Sequence, residues 1–193
     1  MCSKLEKENV RSENSLSNCS KSGDVVFLQT LCVVVKLQGV KKRVRAFIDS
    51  ASQSSYISER LVNQLAVQPL RTETVCHALF GGNQTDPKPH RVFSVEVSEL
   101  RGMYTCDFEV LFERKFCELV PKINDQNILK KLRGKNIDLT DSSCEGAEID
   151  LLIGADVMGR LLTGNVATLH SGLTAVESKL GWKVFGKQIL WKG

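Results

Sequence analysis

The chain has 193 residues, enough for one domain with a tail and a sizeable core. Its 42% hydrophobic and 25% charged residues are ordinary for a globular protein, and no apolar stretch has the length of a membrane span. The formal net charge of +4 is too small and too dispersed to mark a dedicated binder of polyanions.

Met1 to Asp24 is polar throughout and lacks the apolar core of a secretory signal, so the expected location is cytoplasmic and the protein is not expected to be secreted. Residues 1–23 are rich in Ser, Asn, Lys and Glu, with little to bury, and read as a disordered lead-in to a single domain over 24–193. Strand character begins abruptly after it. Val25 to Leu31 and Cys32 to Leu37 are β-branched and apolar, Gly39 turns the chain, and Arg43 to Ile48 forms a further strand. The basic run Lys41-Lys42-Arg43-Val44-Arg45 at its start is read as a solvated strand end, and nucleic acid is not expected as a partner. Asp49 to Ser55 is a run of small polar residues, which is loop chemistry. Ser58 is placed to cap a short helix carrying Leu61, Val62 and Leu65 on one face.

Glu73 to Phe80 and Arg91 to Val97 read as strands on either side of Gly81-Gly82-Asn83, the strongest turn signal in the chain, with Asp86-Pro87-Lys88-Pro89 lengthening the hairpin end. Tyr104 to Phe112 alternates as a strand. Asn124 to Leu132 has helical spacing, and residues 133–147 form a polar insertion without periodicity. Ile149 to Ile153 is a buried-strand candidate broken by Gly154, and Asp156 is read as the cap of a helix running to Leu162. Val166 to His170, Thr174 to Glu177 and Gln188 to Trp191 are read as late short strands. Many short strands with two or three short helices predict a mainly β, barrel-like domain.

The seven cysteines form an odd set without a close pair, and neither a Cys-x-x-Cys nor a matching His pair is present. Reduced thiols are therefore expected, with no disulfide framework, no zinc site and no cofactor. His77, His90 and His170 fall on strands or hairpin ends without a nucleophile nearby and are expected at surface or edge positions. Gly181 to Lys187 has the spacing of a phosphate-binding loop, but Gln188 follows where Ser or Thr is needed, and Trp182 and Phe185 are too bulky for a cradle of amides.

Two segments carry chemistry. In Phe47-Ile48-Asp49-Ser50-Ala51-Ser52 an apolar strand delivers a carboxylate into a loop of small residues, whose hydroxyls and amides can hold it in place. About a hundred residues later, Ile149-Asp150-Leu151-Leu152-Ile153-Gly154-Ala155-Asp156 runs apolar strand, glycine, helix start. Together with Thr174-Ala175-Val176-Glu177-Ser178-Lys179-Leu180-Gly181-Trp182 near the end, these segments resemble, in order, the protease domain of Pao/BEL-type LTR retrotransposon polyproteins, a retropepsin-like family.

That resemblance, over roughly Val25 to Gly186, implies a closed β-barrel protomer with one or two short helices, in the acid-protease fold. It implies a homodimer that cleaves extended polypeptide, its own polyprotein above all, within a cytoplasmic retroelement particle. Asp49 would be catalytic, in a loop with Ser50, Ala51 and Ser52. Phe80, Gly81 and Gly82 would form a flap over substrate, and Ile153, Gly154, Ala155 and Asp156 would support the loop from below. The two Asp49 carboxylates of the dimer would share a proton and activate water, with no metal and no covalent intermediate. Ala51 stands where that family usually carries glycine; a positive φ there would make its methyl group cost about 1 kcal/mol. Asp141-Ser142-Ser143, the other similar triplet, follows a poor apolar strand and is not expected to supply a second catalytic aspartate.

Overall fold

The computed structural model describes residues 25–78, 84–116 and 120–188. The strands are β1 (Val26–Phe27), β2 (Thr30–Leu37), β3 (Val40–Ile48), β4 (Tyr56–Ser58), β5 (Arg71–Val75), β6 (Lys88–Ser98), β7 (Thr105–Glu113), β8 (Leu151–Ile153), β9 (Leu162–Thr168), β10 (Thr174–Ser178) and β11 (Gly181–Lys187). The helices are α1 (Glu59–Leu65), α2 (Gln126–Arg133) and α3 (Ala155–Leu161), with one 3-10 turn at Asp141–Ser143. The three α-helices match the two or three read from the sequence, one more than the one or two that the resemblance implied.

Strands β2-β3-β8-β4-β7-β6 follow one another in a sheet that closes on itself, because β2 also pairs with β6, and β5 extends the sheet beyond β6. The expected mainly β closed barrel is thus present, with six strands. Alternation explains the closure. Leu31, Val33, Val35 and Leu37 of β2 point one way with Val44, Ala46 and Ile48 of β3 and Phe93, Val95 and Val97 of β6, and these side chains fill the barrel. A second sheet, ordered β1-β11-β10-β9, packs with α2 around Phe27, Ile128, Leu132, Leu173 and Val184.

Ser58 caps α1 as expected, its hydroxyl accepting from the Leu61 N–H at 3.1 Å. Other sequence expectations shift. The Lys88-Pro89 pair belongs to β6 rather than to a hairpin end. The last described strand is β11, earlier than expected; of the Gln188 to Trp191 segment, Gln188 follows it without strand character and the rest lies outside the described residues. Gly181 and Gly186 sit inside β11 at φ 127° and 126°, where a side chain is disfavoured, and a Cβ on Gly186 would stand 2.8 Å from the Gly172 carbonyl.

The largest departures concern buried polarity. Cys32 and Cys144 form a disulfide across 112 residues of sequence, so the expectation of reduced thiols fails for this pair. Arg45 is not a solvated end of the basic run but is 1% exposed. Both follow from one arrangement. Cys32 of β2 and Arg45 of β3 are register partners on the outer face of the barrel, and the segment through Asp141 and Cys144 lies over them. Arg45 Nε and Nη2 donate to the two Asp141 carboxylate oxygens at 2.7 and 2.8 Å, Nη1 donates to the carbonyls of Val120 and Ala147, and Thr30 Oγ1 donates to Asp141 at 3.0 Å. The Cys32 N–H donates to Thr140 Oγ1 at 3.1 Å. The polar stretch 133–147 is thereby fastened to the barrel through its polar side chains.

Lys183 in β11 is wholly buried, and its Nζ has no hydrogen-bond partner among the described residues. Desolvation lowers its pKa from 10.5 to about 8. The folded state therefore binds fewer protons than the unfolded chain between about pH 8 and 10.5, and stability rises with pH through that window. Lys183→Met is expected to raise the melting temperature at neutral pH, by on the order of 1–3 kcal/mol of stability. Thermal melts of both proteins across pH 7 to 10.5 check this, since the difference should shrink as the pH rises.

Candidate functional site

Strand β3 pairs in parallel with β8, placing Ile48 beside Ile153. The ladder runs one step further, with the Asp49 N–H donating to the Ile153 carbonyl at 3.0 Å. The chain then leaves the sheet. Asp49 Oδ1 accepts from the Ala51 N–H at 3.0 Å, an Asx turn, and the Ser52 N–H points back to the Asp49 carbonyl at 3.4 Å. Asp49 is half-buried, while Ser50 and Ala51 are exposed.

The loop is braced from below by the segment after β8. The Ala155 N–H donates to the Ser52 carbonyl at 2.8 Å. The Gly154 N–H donates to Ser55 Oγ at 3.0 Å, and Ser55 in turn gives its hydroxyl and its backbone N–H to the two oxygens of Asp156, at 2.8 and 3.1 Å. Gly154 is required for this approach. A Cβ there would lie 2.4 Å from the Ser54 carbonyl oxygen and 2.8 Å from that of Ser52, both backbone atoms that cannot turn aside. Ser52 Oγ donates to the Ser54 carbonyl at 2.8 Å, tightening the same turn.

Asp49, Ser50, Ala51 and Ser52 thus come together with Ile153, Gly154, Ala155 and Asp156. The role expected for Asp156 changes. Gly154 is the N-cap of α3 and Asp156 lies in its first turn, but the Asp156 carboxylate holds Ser55 instead of capping the helix. Phe80, Gly81 and Gly82 lie outside the described residues. Among the described residues the non-glycine positions at positive φ are Gln38, Ala66 and Asn136, so Ala51 adopts ordinary backbone and its methyl group brings no left-handed strain.

The carboxylates around this loop divide by their commitments. Asp141 is held by Arg45 and Thr30. Asp150, buried just before β8, accepts from Ser58 Oγ at 2.7 Å and from Arg60 Nε and Nη2 at 3.0 and 2.5 Å. Asp156 is held by Ser55. Asp49 accepts the Ala51 N–H and keeps a partly open face in an exposed loop. Sequence reasoning did not assign Ser55, whose hydroxyl joins the loop to both Gly154 and Asp156. A serine flanked by small polar residues carries no signal for such a role until its partner is in place.

The histidines also differ from expectation. His90 in β6 is only 8% exposed, so a surface or edge position is wrong for it, and His77 is half-buried. Their rings meet edge to face with centroids 5.0 Å apart. Burial and the His90 ring lower the pKa of His77. Tyr56, directly after the loop in β4, has its hydroxyl 3.3 Å from His77 Nδ1, and burial raises its pKa.

No protein-family model and no curated protein matches this chain. A solved structure similar to it is the retroviral protease-like domain of Ddi1 from Leishmania major, 17% identical, covering 82% of this chain and 94% of that one with a TM-score of 0.36. Likeness at that score carries no inference about this chain's chemistry. Among the described residues no helix is long and apolar enough to cross a membrane.

Proposed function

We propose that this chain is the protomer of an aspartic-type endopeptidase of the retropepsin kind, completed by a second copy. The observation that carries the reading is the contrast among its carboxylates. Asp141, Asp150 and Asp156 are each spent on structural partners, whereas Asp49 sits at a strand end with one backbone donor and an accessible face. A carboxylate so placed, on a loop braced by Gly154 and Ser55, has the preorganisation that proton transfer requires.

Two protomers related by a two-fold axis would bring their Asp49 carboxylates together. Like charges at that range cannot both ionise, so the pair would hold one proton between them. The ionised member takes a proton from water as it attacks the scissile carbonyl, and the protonated member polarises that carbonyl. The tetrahedral intermediate collapses with protonation of the amine. The substrate class is extended polypeptide, lying as an added strand across the floor of the site, and the polyprotein of a Pao/BEL-type retroelement is the proposed natural substrate.

The test is incubation of the full chain with a peptide library at mildly acidic pH, with and without a statine-type inhibitor. Inhibitor-sensitive cleavage is expected, with a rate per chain that climbs with protein concentration as dimers form. Peptide binding without turnover at any pH would replace the enzyme with a peptide-binding module.

A further inference from the structure

We propose that His77, His90 and Glu113 form a binding site for a divalent transition metal of the zinc class. This inference stands apart from the peptidase reading, since none of the three residues takes part in the proposed hydrolysis.

Topology builds the site. Strands β6 and β7 pair antiparallel with Val92 opposite Leu111. Continuing that register by two residues sets His90 opposite Glu113, with both side chains on one face. His77 approaches from the segment after β5. It is held there by backbone pairing with the returning chain, its N–H donating to Thr85 Oγ1 at 2.9 Å and the Thr85 N–H donating to the His77 carbonyl at 2.9 Å. The ligand atoms of His77, His90 and Glu113 all lie within 4.8 Å of one another.

The imidazoles are oriented for ligation. His90 Nδ1 lies 3.0 Å from the Phe112 carbonyl, an acceptor only, so Nδ1 carries a hydrogen and the lone pair of the neutral ring is on Nε2. That nitrogen faces His77 Nε2 at 3.2 Å. Two nitrogens bound at about 2.0–2.1 Å to one tetrahedral zinc stand roughly 3.3 Å apart, so the two rings already hold the edge of such a polyhedron. The Tyr56 hydroxyl at His77 Nδ1 can donate or accept. In the metal-free pair His77 Nε2–H donates to His90 Nε2 and Tyr56 donates to His77 Nδ1. On binding, the His77 hydrogen moves to Nδ1 and is donated to Tyr56 Oη, whose own hydrogen turns to Ser54, and Nε2 is freed as a ligand. Each imidazole then has an outer hydrogen-bond partner, as metal-bound histidines commonly do.

Glu113 supplies the negative charge. One of its oxygens accepts the Arg114 N–H at 2.9 Å, and its field favours positive charge at His77. Two imidazole nitrogens and one carboxylate are the donor set of zinc-class ions, not the all-oxygen set that magnesium or calcium takes. Two histidines and a carboxylate leave a fourth position for water.

The experiment uses the full chain stripped with a chelator and titrated with Zn²⁺ against a chromophoric competitor, and separately with Co²⁺, whose four-coordinate complexes absorb strongly in the visible. One site per chain is expected, with four-coordinate Co²⁺ bands and a higher melting temperature when metal is present. His77→Ala and Glu113→Gln should each weaken binding by at least the roughly 10–100-fold that loss of an outer hydrogen-bond partner costs. Glu113→Gln should do so with little change in the metal-free melting temperature, whereas His77→Ala lowers it by leaving the buried His90 Nε2 without its donor. Cys76→Ser, next to the site and exposed, should leave it intact. Absence of the Co²⁺ bands, undiminished affinity in both ligand variants, or loss of binding in Cys76→Ser alone would overturn the proposal.

Discussion

Asp49→Asn is expected to lower peptide hydrolysis by a factor of about 10³ or more while shifting the melting temperature by no more than about 2 °C. The substitution keeps the shape of the side chain, and an amide oxygen still accepts the Ala51 N–H, so the Asx turn persists. What it removes is the capacity to take a proton from water. The braces from Gly154 and Ser55 do not touch the Asp49 carboxylate and should hold the loop as before. Mixing experiments then separate a shared site from a self-contained one. If each site needs Asp49 from both protomers, an equal mixture of parent and variant retains both carboxylates in about one quarter of its dimers. Activity that instead falls in simple proportion to the parent fraction would place a complete site within one chain.

Asp141→Ala should cost about 3–5 kcal/mol of stability, the largest loss we expect from a single surface-distant substitution. It leaves the Arg45 guanidinium, 1% exposed, without its counter-ion in a place water does not reach. The remaining acceptors, the carbonyls of Val120, Ala147 and Pro121, satisfy some of its N–H groups but carry no charge. For a domain of this size that loss corresponds to roughly 10 °C or more in melting temperature. Replacing both partners, as in Arg45→Met with Asp141→Leu, should recover much of it, because the cost lies in stranding one charge and less in the absence of the pair. Urea unfolding of the single and double variants measures the coupling. Single and double variants equally unstable would show that the segment is held mainly by packing and by Cys32–Cys144.

The loop and its support were legible in the sequence because each is announced by a local pattern. An apolar strand ending in Asp49 and small polar residues, and an apolar strand ending in Gly154 before a helix, are both readable within ten residues. The barrel was legible for the same reason, since Val33, Val35, Val95 and Val97 alternate with residues on the other face. What escaped depends on residues far apart. Arg45 reads as the end of a basic run until Asp141, 96 positions later, lies over it. Cys32 and Cys144 read as unrelated for the same reason. His77 and His90 are only 13 positions apart, but the hairpin between them does not itself show that Nε2 faces Nε2. The phosphate-loop spacing of Gly181 to Lys187 carried no function, and Gly186 there lets β11 approach the Gly172 carbonyl closely.

The parallel pairing of β3 with β8 also sets an order of assembly. Nothing in the first half of the chain can complete the Asp49 loop, because Ile153, Gly154 and Asp156 arrive only after roughly a hundred further residues have been made, and so long a loop must close before the pairing returns any stabilisation. A nascent chain halted before Gly154 would carry Asp49 but no brace beneath it. If the proposed peptidase reading holds, the timing of this closure delays hydrolysis until most of the domain has been synthesised.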